Sequence, residues 1–363
     1  MDGAERDPAE EVIVDDIQTV DEDEETLPFQ YSITAYGADY PVDGLVKRLQ
    51  SGSIYTPPFQ RGFVWTPRQG SRFIESLLLG LPVPGIFLSR EEDGGSRLLI
   101  IDGQQRLLTL QYFYQGVYGG TGREFKLLGV QDRYSGLTYR NLEDSDRIRL
   151  DDSIVHATIV RQDVPTNDSS SIYHVFERLN TGGTPLSPQE IRACVYHGKL
   201  NTLLRELNNL KEWRSIFGPP NNRMRDQELI LRFLAFRFAR KSYQEPLKGF
   251  LNAFMGAHSD LSDDLAERFA KAFKDAVGFA YEALGPQAFK PVRALNASVF
   301  ESVMVGISER IESDPSLDTS RILDAYGSLL GDPSFRNATE RATASREAVA
   351  TRFSLAHEAF ADV

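Results

Sequence analysis

One stretch concentrates polar side chains where a strand hands over to a helix: Ile100-Ile101-Asp102-Gly103-Gln104-Gln105-Arg106-Leu107-Leu108-Thr109-Leu110. The apolar run from Leu98 drops into Asp-Gly and re-emerges as an amphipathic run. This predicts a strand, a tight turn and a helix start. Backbone N–H groups at a helix N-terminus favour anions. Arg106 adds a fixed positive fork, and Gln104 and Gln105 add adaptable donors and acceptors. The construction suits a phosphate or a nucleotide. The turn alone has a plainer reading, in which Asp-Gly makes a bend and Asp102 caps the helix.

Two further segments bear on that choice. Upstream lies Pro57-Pro58-Phe59-Gln60-Arg61-Gly62-Phe63-Val64-Trp65-Thr66-Pro67-Arg68-Gln69. Thr66 as N-cap, Pro67 at the first helical position and Gln69 closing a capping box predict a helix over 67–80. Downstream lies Val175-Phe176-Glu177-Arg178-Leu179-Asn180-Thr181-Gly182-Gly183, the expected end of a helix over 169–179. A second helix starts with Ser187, Pro188 and Glu190 in the same capping pattern.

In order and spacing, these three segments resemble the family called domain of unknown function 262, over roughly residues 28–200. The resemblance implies an α+β fold similar to the N-terminal domain of ParB and to sulfiredoxin. It also implies nucleotide handling tied to DNA, as in modification-dependent restriction enzymes of the GmrSD type and related phage-defence proteins. There the Asp-Gly-Gln-Gln-Arg box is linked to nucleotide binding and hydrolysis; here it is Asp102, Gly103, Gln104, Gln105 and Arg106. On this reading Asp102, Gln104, Gln105 and Arg106 are the catalytic candidates. Gln60, Arg61, Gly103, Arg106, Arg178, Asn180 and Thr181 are the nucleotide contacts. Magnesium is expected with the triphosphate, with Asp102 and Glu177 as candidate ligands. Many defence members carry a C-terminal HNH nuclease. None of His156, His174, His197, His258 and His357 lies in such a context, so cutting is assigned to a separate nuclease subunit.

Bland alternatives stand beside several of these. Arg106 reads equally as a structural arginine on a neighbouring carboxylate. Trp65 and Phe63 are expected to pack against the 67–80 helix rather than to stack on a base. Asn180-Thr181-Gly182 also reads as a glycine C-cap. Cys194 sits in an apolar helical pattern and reads as a buried, inert thiol. As the sole cysteine it excludes an internal disulfide and a multi-cysteine zinc site. Neither haem nor flavin is expected.

The net charge of −12 is concentrated at one end. Residues 1–26 hold twelve acidic residues and one arginine, leaving the rest of the chain near neutral. Residues 1–27 are expected to be a disordered acidic tail that aids solubility or mimics DNA in a basic groove. No apolar run reaches membrane-spanning length and no basic-then-apolar leader opens the chain, so a cytoplasmic protein without a membrane partner is expected.

Strands are predicted at 29–35, 86–89, 97–101, 124–128 and 154–160, with a short helix over 42–49. The helix after Gly103 carries Leu107, Leu110 and Tyr114 on one face. Beyond residue 200 helical periodicity dominates, notably at 203–210, 229–238, 261–284, 295–311, 318–330 and 340–360. The organisation expected is an α+β nucleotide-binding domain over 28–195 and an all-helical domain over 196–363. Residues 223–241 hold six basic and two acidic residues. A basic helix can contact DNA phosphates, through Arg223, Arg225, Arg232 and Arg237, although these do not share one narrow face.

The leading expectation is an NTP-binding and NTP-hydrolysing protein that acts in defence against foreign or modified DNA. A non-catalytic nucleotide or DNA sensor is one alternative. A metal-dependent DNA nickase is another, and it needs carboxylates at the turn, where Asp102 is the one evident.

Overall fold

The computed structural model describes residues 17–18, 32–56, 62–90, 97–119, 121–164, 173, 186–196, 198–314, 318–361 and 363. The chain divides into two compact units. One is Thr26–Gly198 with Asn222–Met224; the other is Met1–Glu25, Lys199–Asn221 and Arg225–Val363.

The first unit is α+β. After β1 (Ile17–Gln18, in the other unit) come β2 (Ser32–Pro41), α1 (Val42–Gln50), β3 (Ile54–Tyr55), α2 (Pro67–Leu78), β4 (Ile86–Arg90), β5 (Leu98–Asp102), α3 (Gln104–Gln115), α4 (Asp144–Asp152), β6 (Ile154–Val164) and α5 (Pro188–Val195). The five-stranded sheet runs β2-β6-β4-β5-β3. β4 is antiparallel to β5 and parallel to β6, so Ile100 faces Leu88 and Ile159 faces Leu88 from the other side. β2 is described from Ser32 and extends beyond the predicted 29–35 to Pro41, because its register with β6 runs unbroken from Ile33 to Pro41.

α1, α2, α3 and α4 pack on one another. The core between sheet and helices includes Ile74, Leu78, Ile86, Leu88, Ile100, Leu107 and Phe113. α2 begins as predicted, with the Thr66 side chain accepting from Gln69 N–H and Gln69 reaching back to Thr66. α5 repeats the device with Ser187 and Glu190. The far end of α3 is tied to α4 by Asp151, which accepts from Tyr114 Oη at 2.5 Å and Tyr139 Oη at 3.0 Å. Burial first, then Asp151, pushes the Tyr139 phenol up to about 12.

The predicted strand at 124–128 is not one. Glu124 makes an isolated bridge with Val117, and Leu127 exchanges backbone hydrogen bonds with Gly136 and Leu137. Phe125 and Leu127 are buried there in a loop.

The second unit is helical: α6 (Lys199–Leu207), α7 (Lys211–Phe217), α8 (Arg225–Ala239), α9 (Leu247–Ala257), α10 (Asp263–Leu284), α11 (Ala297–Ser313), α12 (Thr319–Gly331), α13 (Pro333–Glu340) and α14 (Arg346–Ala361). β1 pairs in parallel with β7 (Leu295–Asn296), which places Ile17–Gln18 of the acidic segment in this unit. The predicted 340–360 helix is α14, which begins later, at Arg346. α7 and α9 were not anticipated. Among the described residues no helix is long and apolar enough to cross a membrane.

α11 is buried almost all round, and Glu301 lies in its middle. Glu301 is held by Arg232 from α8, at 2.7 Å, and by Arg352 from α14. A buried charge persists only when paired, and removing one partner strands the others at a cost of about 3–5 kcal/mol. Glu301→Ala is therefore expected to destabilise the helical unit by about that amount. The check is urea unfolding followed by a probe in the helical unit, with the first unit's transition as internal control.

Candidate nucleotide-binding turn

Gly103 joins β5 to α3 with φ +95°, and it occupies the N-cap position. An added Cβ there would lie 2.5 Å from Ile86 Cγ2. Both the left-handed backbone and the close approach to β4 demand glycine. Asp102 therefore sits one residue too early to cap α3, and no side chain caps the helix. The capping reading of Asp102 is corrected on that point. The first peptide N–H groups of α3 lack a side-chain cap, the arrangement that suits an anion.

Asp102 instead pairs with Arg106 one turn on, at 2.6 Å. Arg106 Nη1 also donates to the carbonyls of Pro84 at 2.8 Å and Gly85 at 2.7 Å. Three of its five N–H donors are thus committed to the protein, and the side chain is 14 % exposed. Those carbonyls belong to the connection from α2 to β4. That connection passes close to β6, since a Cβ on Gly85 would meet His156 O at 2.9 Å.

Gln105 turns inward. Its Oε1 accepts from Val64 N–H at 2.9 Å and Trp65 N–H at 3.2 Å, and its Nε2 donates to Gly62 O at 3.2 Å. At 7 % exposure it is a clamp on backbone, not a group available to orient water. That part of its expected catalytic role is corrected. The segment it holds follows directly on Phe59-Gln60-Arg61. Tyr118 closes the same segment, donating from its hydroxyl to Trp65 O, with its phenol pushed up to about 12 by burial. Trp65 packs edge-on against Phe73 of α2 as expected. Phe63 packs edge-on against Tyr112 and Tyr118.

Gln104 lies half-buried at the start of α3. Gln60, Arg61, Glu177, Arg178, Asn180 and Thr181 lie outside the described residues, as does the predicted 169–179 helix apart from Tyr173. Among the described residues no group of three or more His, Cys, Asp or Glu could hold a metal ion. Asp102 is engaged by Arg106.

The match to known proteins falls on this unit. Residues 42–197 match the family described as the GmrSD restriction endonuclease, N-terminal domain. This part of the chain is similar to a GmrSD-type N-terminal domain. No curated protein matches the chain. The match spans the Asp102–Arg106 turn, the clamped 62–65 segment and the Ser187–Glu190 capping box, and it ends before the helical unit proper.

The four arginines of the basic run meet different fates. Arg223 sits in the GmrSD-type unit, paired with Glu190 at 3.1 Å, while its carbonyl accepts from Ser187 Oγ. Arg225 opens α8 half-buried. Arg232 is a core residue bound to Glu301, which removes it as a DNA contact. Arg237 is turned onto α11, bonded to Ser308 at 3.1 Å and ion-paired with Glu312. Cys194 is fully buried, as its apolar setting predicted. The residues that sequence reasoning missed at the turn are Gly85, whose carbonyl anchors Arg106, and Tyr118.

Two substitutions test this construction. Gly103→Ala is expected to cost about 2–4 kcal/mol from strain and overlap, read as a lowered midpoint of thermal unfolding. Gln105→Ala removes three hydrogen bonds to the partly buried 62–65 backbone, at about 0.5–1.5 kcal/mol each. It is expected to speed proteolytic cleavage around residues 57–65 far more than elsewhere in the chain.

Proposed function

We propose that the GmrSD-type unit binds a nucleoside triphosphate at the start of α3, and that the protein acts in restriction of foreign or modified DNA. The observation that carries this reading is the Gln105 clamp. It joins two segments of the family pattern, the Asp-Gly-Gln-Gln-Arg box and the stretch following Phe-Gln-Arg, which lie about 40 residues apart in sequence. The clamp sets the Gly62–Trp65 backbone beside the uncapped start of a helix. Phosphate oxygens there would meet peptide N–H groups and the positive end of the helix dipole.

Arg106 contributes as a partner that can be exchanged. Its two carbonyl bonds hold the α2–β4 connection whatever occupies its other nitrogen. A phosphate at the helix start competes with Asp102 for that nitrogen. Arg61, Arg178, Asn180 and Thr181 remain proposed nucleotide contacts, and Gln60 with them. Magnesium is proposed to enter with the triphosphate, and Glu177 is its remaining candidate protein ligand.

NTP hydrolysis, coupled to DNA and to a separate nuclease subunit, is the activity proposed for the intact site. A binding-only sensor is the second reading. One observation favours it: at the turn Asp102 and Gln105 are both bonded to the protein, so neither stands ready to activate water.

Calorimetry with each common NTP in magnesium, followed by phosphate release with and without modified DNA, separates the two readings. Binding with DNA-stimulated release supports hydrolysis, and binding without release supports the sensor. No binding to any NTP would sink both. Asp102→Asn keeps an acceptor for Arg106 but removes the competing charge. It is expected to tighten nucleotide binding several-fold, whereas a metal-ligand role for Asp102 requires binding in magnesium to weaken.

A further inference from the structure

The helical unit holds a cavity of 380 Å³ outside the matched region, between the turn that follows α8 and one face of α14. Arg240, Lys241 and Tyr243 line one side; Arg346, Val349, Ala350, Phe353, Ser354 and His357 line the other. Its lining holds three permanent cations and no carboxylate. Val349, Ala350 and Phe353 supply an apolar floor between them.

The charges around this cavity are unevenly answered. Glu309 lies behind it and takes both Arg240, at 3.2 Å, and His357 Nδ1, at 3.2 Å. Glu245 accepts from the backbone N–H of Arg346, and Glu358 from Ser354 Oγ at 2.8 Å. Among the described residues Lys241 and the Arg346 guanidinium have no ion-pair partner. Arg240 Nη1 is shut off from solvent with no hydrogen-bond partner, its guanidinium lying 5.0 Å over the Phe353 ring. Beneath the floor the Arg232–Glu301–Arg352 group carries two positive charges against one negative. A bound anion would answer Arg240 and offset that buried excess.

We propose that this cavity binds a nucleotide unit. Its phosphate would sit among Arg240, Lys241 and Arg346, and its apolar part on Val349 and Ala350. Arginine forks and a lysine point charge suit phosphate oxygens, and the volume falls within the range of small-ligand pockets. The same chemistry is offered by a free nucleotide and by a unit of a single strand. This site is distinct from the α3 turn and does not depend on nucleotide binding there.

The test is photocrosslinking of the full-length protein with two probes, 8-azidoadenosine triphosphate and a short single-stranded oligodeoxynucleotide carrying one 8-azidoadenine. Crosslinked peptides are mapped by mass spectrometry. Peptides containing residues 240–243 or 346–357 are expected with at least one probe, and the stronger probe identifies the source. The exposed double variant Lys241→Glu/Arg346→Glu is expected to lose that crosslink at least tenfold. Lys271→Glu/Lys274→Glu, an equal charge change on α10, is expected to leave it unchanged. Crosslinking confined to the α3 turn would overturn this proposal while upholding the first. Equal loss in both double variants, or no crosslink in the helical unit, would also overturn it.

Discussion

One buried carboxamide organises the GmrSD-type unit. Gln105 gives both lone pairs of its oxygen to peptide N–H groups of Val64 and Trp65 and one N–H to Gly62. Those backbone groups lie in a loop that no strand or helix satisfies. They are partly buried, and without Gln105 they would lose these partners. The clamp in turn needs α3 to start at one place, which Gly103 sets by a left-handed turn pressed against Ile86. Arg106 then spans from the same helical turn to Pro84 and Gly85. Three stretches of chain thus meet at the first turn of one helix.

Where structure is decided by near neighbours, it was legible. Both capping boxes formed as spaced, because a hydroxyl and an amide or carboxylate three residues apart answer each other's backbone N–H. α1, α2, β4 and β5 followed from periodicity in the same way. What was not legible involved backbone atoms as partners. The carbonyls of Pro84 and Gly85 and the N–H groups of Val64 and Trp65 have no identity in a sequence. The roles of Arg106 and Gln105 were therefore open to being assigned as chemistry. Phe125 and Leu127 show the converse: alternation reports burial, and a buried loop can produce it without a strand.

The basic run from 223 to 241 makes a related point about charge. A count of cations says where they lie along the chain, and packing decides which reach water. Glu301, the one charged residue in the 297–308 stretch of α11, was the available signal, since a carboxylate at such a position must find a cation. It takes Arg232 out of the run and Arg352 out of α14. Glu312 and Ser308 take Arg237, and Glu190 takes Arg223. Lys241 is left exposed where the chain leaves α8, and with the half-buried Arg240 it faces Arg346 across the cavity.

The two units therefore use polar side chains differently, and this bears on the motif that carries the family resemblance. At the α3 turn, Gln105 and most of the Arg106 donors are spent on shaping backbone, and Gly103 on permitting a bend. What the box presents outward is a helix start without a side-chain cap and one exchangeable ion pair. Recognition by peptide N–H groups depends on the position of the chain and tolerates little displacement. A site built that way requires the rigid support that Gln105 and the two carbonyl bonds provide. On the proposed reading, the box is the frame of an anion site rather than a set of reacting side chains. On the same proposed reading, groups that act on a nucleotide come from other segments, the Gln60–Arg61 and Glu177–Thr181 stretches being those the sequence pattern offers.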